Sequence, residues 1–312
     1  MIRLIRTDFG IALRSAETVF GLALEFIGGL AGMMIVCYKG LSLPDLIYMY
    51  IIAGIFLAFA LSLDNGFGTV RSRLIIGFTK LRVIFAKTAA AVLLSVVYML
   101  AGTAPMLVFC RGQMLRFHTP EQLLRGFMIM LCGFFVTAVF AAVISTLIFS
   151  RTWALMMTVF IFGGVLLGAG YLGEQFLYQA EYKVVDGGGK MKLAENDRYL
   201  KSPVRELADA VIYSVPSSQG ELFSGAYTKK TDGWRREREI LTQKLANYDP
   251  EELSDSFAAD TLREDYEKYL RSRIDMYERI ESGFGFIPLY SLAMMLAVTL
   301  AGALIYRRRN IE

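Results

Sequence analysis

The sequence has a single histidine, three cysteines and two tryptophans in 312 residues, and these shortages exclude several kinds of chemistry. One imidazole, His118, offers no cluster to hold a metal, and a lone histidine at a loop edge is far more often structural than catalytic. Cys37, Cys110 and Cys132 sit within or at the ends of apolar runs. Their spacing matches neither a disulfide framework nor a zinc site, so they read as small packing residues. No G-x-x-x-x-G-K-[ST] segment occurs: Gly187-Gly188-Gly189-Lys190 runs into Met191 and lacks the spacing. The chain is therefore not a complete ATP-driven pump. No nucleophile-and-base arrangement stands out either. The arginine-rich patches border apolar runs, which makes them topology determinants rather than nucleic-acid contacts.

Apolar length dominates what is present. Hydrophobic residues make up 55% of the chain and the mean hydropathy is +0.45, which places it in the membrane class. The fold class expected is an all-α integral membrane protein with six transmembrane helices. Spans are expected at about 19–36, 46–63, 88–110, 124–149, 153–172 and 286–306, with Pro105 kinking or ending the third. Residues 1–15 put Ile2, Ile5, Phe9 and Leu13 on one helical stripe with Arg3, Arg6 and Arg14 beside it, the pattern of an interfacial amphipathic helix. A cleaved signal peptide is the rival reading; the long apolar run after it, without a small-x-small cleavage site, disfavours it. Glu25 stands inside the first span, where burial of a carboxylate costs about 2.5 kcal/mol or more, so it is a possible intramembrane functional residue. Its place about two turns from the cytoplasmic end favours a structural role. Gly28 with Gly32, and Gly164 with Gly168, have the small-xxx-small spacing of close helix packing.

Charge orients these spans. Roughly twelve Lys and Arg fall on the side of the N-terminus, the Arg71 loop, Arg151 and the C-terminal tail, against about four in the two short opposite loops. Both termini are therefore expected in the cytoplasm, with residues 307–312 as a tail. Residues 173–285 then form a helical extracytoplasmic domain between spans five and six, carrying about −5 net charge against about +9 elsewhere. Within it, Gly187 to Gly189 is expected as a turn. Ser202 is expected to cap a helix with Pro203 at its first position and Val204, Leu207, Val211 and Val215 on its apolar face. A second helix is expected over about 234–248. A third is opened by a Thr261/Glu264 capping box, with Leu262, Tyr266, Tyr269, Tyr277 and Ile280 on one face.

The stretch that organises the chain is the loop at 64–87, DNGFGTVRSRLIIGFTKLRVIFAK, basic and glycine-punctuated between two apolar runs. Thr69 can cap a short helix that stops near Gly77, and Thr79 can cap the next. Val70, Leu74 and Phe78 recur at fourfold spacing, which turns Arg71 and Arg73 away from the apolar face. Gly68-Thr69, Arg71, Leu74, Gly77, Thr79-Lys80 and Lys87 resemble the first cytoplasmic loop of permease subunits in the type-2 family of ATP-binding-cassette exporters, Gram-positive members in particular. The typical pattern there is Gly-Thr, Arg, an apolar pair, Gly or Pro, then Ser/Thr-Arg; here Lys80 stands where Arg is usual and Asp64 where Glu is common. Val215 to Gln219 resembles the Pro-x-x-Gln often found after such an outer helix in Gram-positive members of the same family.

The resemblance implies a coupling helix at Thr69 to Ile76 that docks on a separate cytoplasmic ATPase, with Thr69, Arg71, Arg73 and Leu74 as contact residues. It implies a second permease chain, identical or paralogous, and a translocation path between the two. This chain would carry no cofactor of its own, since ATP and Mg would bind the partner ATPase. It would be multi-pass in a bacterial cell membrane, in contact with lipid and not with nucleic acid. An amphiphilic substrate such as a peptide, a lipid or a drug-like molecule suits the aromatic-rich, charge-poor spans. A different class stays open: a membrane-anchored sensor or immunity protein whose outer domain binds a ligand without transport. A secondary transporter would carry more polar residues along its spans than Glu25 alone.

Overall fold

The computed structural model describes residues 1–39, 46–66, 73–117, 119–148, 150, 152–161, 163–164, 181–185, 191–195, 199–216, 218–219, 233–246 and 261–308. Thr69, Arg71, His118, Gly168 and Gly187 to Gly189 lie outside them, as do the side chains of Thr261 and Glu264. The described chain runs α1 (Ile2–Leu13), α2 (Ala16–Lys39), α3 (Ile47–Gly66), α4 (Lys80–Phe109), α5 (Arg111–Phe117), α6 (Pro120–Leu147) and α7 (Thr152–Ile161). A hairpin of β1 (Glu181–Val185) and β2 (Met191–Glu195) comes next, then α8 (Val204–Ser214), α9 (Gly233–Ala246) and α10 (Thr261–Arg308).

Among the described residues, four helical segments are long and apolar enough to cross a membrane: Ala16–Ile35, Lys80–Phe109, Pro120–Leu147 and Gly285–Arg308. Tyr48–Leu63 and Thr152–Ile161 are shorter apolar helices at the positions of the second and fifth expected spans. The protein is thus a helical membrane protein. Among the described residues the fold is otherwise helical, as expected, with one short antiparallel hairpin paired from Glu181↔Glu195 to Val185↔Met191.

Helix packing in lipid gains little from the hydrophobic effect and relies on small residues that let helices approach. The core obeys that rule. Ala90, Ala91 and Gly102 on α4, and Ala138, Ala141 and Ala142 on α6, are buried where α2, α3, α4 and α6 converge. Larger groups fill the remaining space: Tyr50 of α3 packs on Phe134 of α6 with ring centroids 5.1 Å apart. Pro105 neither breaks nor ends α4, which continues to Phe109. The start of α6 is fixed by a capping box between Thr119 and Gln122, with Pro120 in the first turn.

Two elements differ from the sequence reading. The third outer helix and the sixth span form one continuous helix of 48 residues, α10, with Pro288 inside it. Gly283, which resembles a breaker, instead makes room: a Cβ there would collide with the ring and hydroxyl of Tyr213. The second difference is in α8. Three of the four residues of its expected apolar face, Val204, Leu207 and Val211, are exposed and Val215 is buried, whereas Arg205, Ala208, Asp209, Ile212 and Tyr213 are buried on a different side. Periodicity finds an apolar stripe but cannot say whether lipid or protein covers it. Ser202 does not cap this helix; its hydroxyl donates to Glu206 at 3.0 Å. The segment after α8 packs inward, with Pro216 against Gly133 of α6, while Gln219 donates to the Tyr213 carbonyl (2.6 Å) and to Ser291 (3.0 Å). Tyr213 also stacks on Tyr290, so α8 is held along α10.

The expectation for the cysteines is corrected at Cys110, which is disulfide-bonded at the C-terminal end of α4; Cys132 is free. Sequence spacing is silent about such bonds when distant helix ends meet in space.

Candidate functional site: the turn before α4

The described part of the 64–87 loop is a short helical turn from Arg73 that closes at Phe78. Gly77 has φ +99°, a left-handed conformation that costs a residue with a Cβ about 1–2 kcal/mol. Two backbone bonds close the turn around it, Gly77 N–H to the Leu74 carbonyl (3.1 Å) and Phe78 N–H to the Arg73 carbonyl (3.0 Å). This is a Schellman termination. Thr79 then caps α4 by accepting the Arg82 N–H at 3.3 Å. The expected stop near Gly77 and cap at Thr79 are both present.

The orientation of the side chains is less expected. Arg73, expected on the outward polar side, is buried, and its guanidinium meets the Asp8 carboxylate of α1 at 2.5 Å. Asp8 is itself buried on the face of α1 that also carries Leu4 and Ala12. That face is not the stripe of Ile2, Ile5, Phe9 and Leu13, of which Ile2 is 82% exposed. With Arg73 turned in, the turn presents apolar groups outward: Ile75 is 77% and Ile76 75% exposed, and Leu74 is half-buried. Phe78 packs on a cluster of Val83, Ile84, Ala303 and Tyr306, drawn from α4 and α10, against which Leu147 at the end of α6 also packs. Lys80 Nζ donates to the Arg307 carbonyl at 3.4 Å. One short turn therefore touches α1 through an ion pair, α4 through a cap, and the α4–α10 cluster through an aromatic anchor.

Of the residues singled out in sequence, Arg73 and Leu74 fall together in this turn. Glu25 does not join them; it is fully buried within the bundle on α2. Phe78 packs inward as its place on the apolar stripe implied, whereas sequence reasoning missed Asp8, Ile75 and Ile76 as contact residues. Asp8 had a readable signal, a lone acid at fourfold spacing between Leu4 and Ala12 in an arginine-rich helix. Among the described residues no group of His, Cys, Asp and Glu is placed to hold a metal ion.

No family model matches the chain, no curated protein matches its sequence, and no solved structure matches its fold. The turn must be read from its own geometry.

Proposed function

We propose that this chain is the membrane-spanning permease subunit of an ATP-driven exporter, coupled to a separate cytoplasmic ATPase through the turn before α4. The observation that carries the reading is the turn itself, with two isoleucines directed outward on a base fixed by the Asp8–Arg73 pair and the Gly77 termination. An apolar knob on a rigid base suits a contact that must transmit force, because little docking energy is lost to ordering it. The connections of the turn to α1 and α4, and to the α4–α10 cluster, give such a force somewhere to go. In this reading Leu74, Ile75 and Ile76 form the apolar part of the contact, Thr69 and Arg71 its approach, and Arg73 holds it in place.

With six spans, the four long helices together with α3 and α7, both termini would lie in the cytoplasm and residues 173–285 outside. The disulfide at Cys110 supports that orientation, because it lies at the end of α4 opposite the turn and disulfides persist on the oxidising side of a bacterial membrane. Two permease chains would enclose the path for an amphiphilic substrate, and the partner ATPase would bind ATP and Mg.

The test is co-purification in detergent with an ATPase encoded beside this gene, comparing the native chain with an Ile75→Asp, Ile76→Asp double variant. Both side chains are exposed, so the variant keeps the fold and the ion pair while placing two carboxylates in the contact. A native complex that the variant loses supports the reading. A folded native chain that no ATPase accompanies refutes it, and ligand sensing by the outer segment becomes the better account.

A further inference from the structure

Glu25 is fully buried, and among the described residues it has neither a hydrogen bond nor an ion pair. Its stem lies beside α4, where a Cβ on Gly102 would come within 3.6 Å of Glu25 Cγ, and Met49 of α3 covers the same glycine. Gly29, one turn further along α2, sits so close to the Gly102 carbonyl that a Cβ there would clash. Residues of α2, α3 and α4 thus meet beside the stem of Glu25.

Two tyrosines bracket it along α2. Tyr48 donates its hydroxyl to the Gly28 carbonyl at 2.9 Å, and the Tyr98 hydroxyl points at the Thr18 carbonyl at 3.5 Å. Both hydroxyl protons are committed to the α2 backbone, so what remains for the site is aromatic surface. A hydrated inorganic cation needs several oxygen ligands, and the described groups do not supply them. An organic cation needs a single counter-charge and gains from aromatic neighbours; Glu25 supplies the first, and Tyr48 and Tyr98, anchored on α2 on either side of it, are the aromatic side chains nearby. The outward side of α2 exposes Val19, Phe20, Phe26 and Ile27, so one helix width separates the carboxyl from lipid. A molecule with a cationic head and an apolar body can keep its body there. Met49, a flexible thioether, is the side chain best able to yield to the head.

We propose that Glu25, buried where α2, α3 and α4 meet and bracketed by Tyr48 and Tyr98, is the counter-ion for the head of a cationic amphiphile. The site rests on the exporter reading only for the transport of the bound molecule; binding itself needs no ATPase. The net negative charge of residues 173–285 would favour cations near the bundle.

The experiment uses the full chain in lipid nanodiscs and radiolabelled tetraphenylphosphonium, with tetraphenylborate as an anion of the same shape. The native chain is expected to bind the phosphonium saturably, the borate not to compete, and Glu25→Gln to weaken binding at least tenfold while eluting as the native chain does. Native binding that borate displaces equally well overturns the proposal whether or not the variant folds. So does the absence of saturable binding, or a folded Glu25→Gln chain that binds like the native one. Cation binding by a chain that no ATPase accompanies would keep this site and remove the exporter reading; an ATPase complex without cation binding would do the reverse.

Discussion

Asp8→Asn removes one partner of the Asp8–Arg73 pair and leaves a guanidinium in a site where the arginine side chain is only 10% exposed. Breaking a buried pair on one side costs about 3–5 kcal/mol, because the remaining charge loses its compensation. The small residual exposure of Arg73 lets water relieve part of that, which favours the lower end, about 3 kcal/mol. At about 1.4 kcal/mol per factor of ten, that is roughly a hundredfold shift toward an undocked turn. Hydrogen exchange of a peptide covering Leu74 to Arg82 reads it directly, because the Gly77 and Phe78 amides are protected by bonds that require the closed turn. Exchange there should speed by one to two orders of magnitude in Asp8→Asn and in Arg73→Gln, with peptides from α6 unchanged. The exchanged pair, Asp8→Arg with Arg73→Asp, should recover most of the protection. Unchanged exchange in both single variants, or an exchanged pair no better than either, would show that the ion pair does not hold the turn.

The same geometry sets three further outcomes. Gly77→Ala has open space for its methyl group, so its cost is the left-handed backbone alone, about 1–2 kcal/mol, and it should loosen the Leu74 to Arg82 peptide by roughly tenfold. Gly102→Val would drive a side chain into Met49 and toward Glu25, and should lower the detergent melting temperature far more than the same change at Gly10, where nothing lies within reach. A membrane-impermeant maleimide applied to intact cells should label Cys110 only after reduction; labelling that requires permeabilised cells would place that end of α4 in the cytoplasm.

The features legible in the sequence are those that local chemistry settles. Thr79, Gly77 and the apolar runs act through their neighbours, and the cap, the termination and the long helices are where those residues put them. The features that escape it are set by partners far along the chain. Arg73 reads as outward on a local helix because nothing near it in the chain announces Asp8 as its partner. The stripe on α8 is apolar as expected, but periodicity does not distinguish a lipid-facing stripe from a core-facing one, and Arg205 and Asp209 turn inward instead. Gly283 carries a breaker's chemistry, yet the packing of Tyr213 gives it another use within a continuous helix. The same limit applies to Glu25: its isolation depends on Tyr48 and Tyr98 spending their hydroxyls elsewhere.

The unbroken length of α10 has a mechanical meaning. At about 1.5 Å per residue its 48 residues extend about 72 Å, and the half before Gly285 stands about 36 Å beyond the apolar part. Its other end carries Tyr306, seated beside Phe78 of the turn. A tilt of only about 5° about the middle of the apolar part would carry the far tip about 5 Å, given that rise per residue. The helix is thus a long arm on a short pivot, and a small displacement where Tyr306 sits becomes a large one at Thr261.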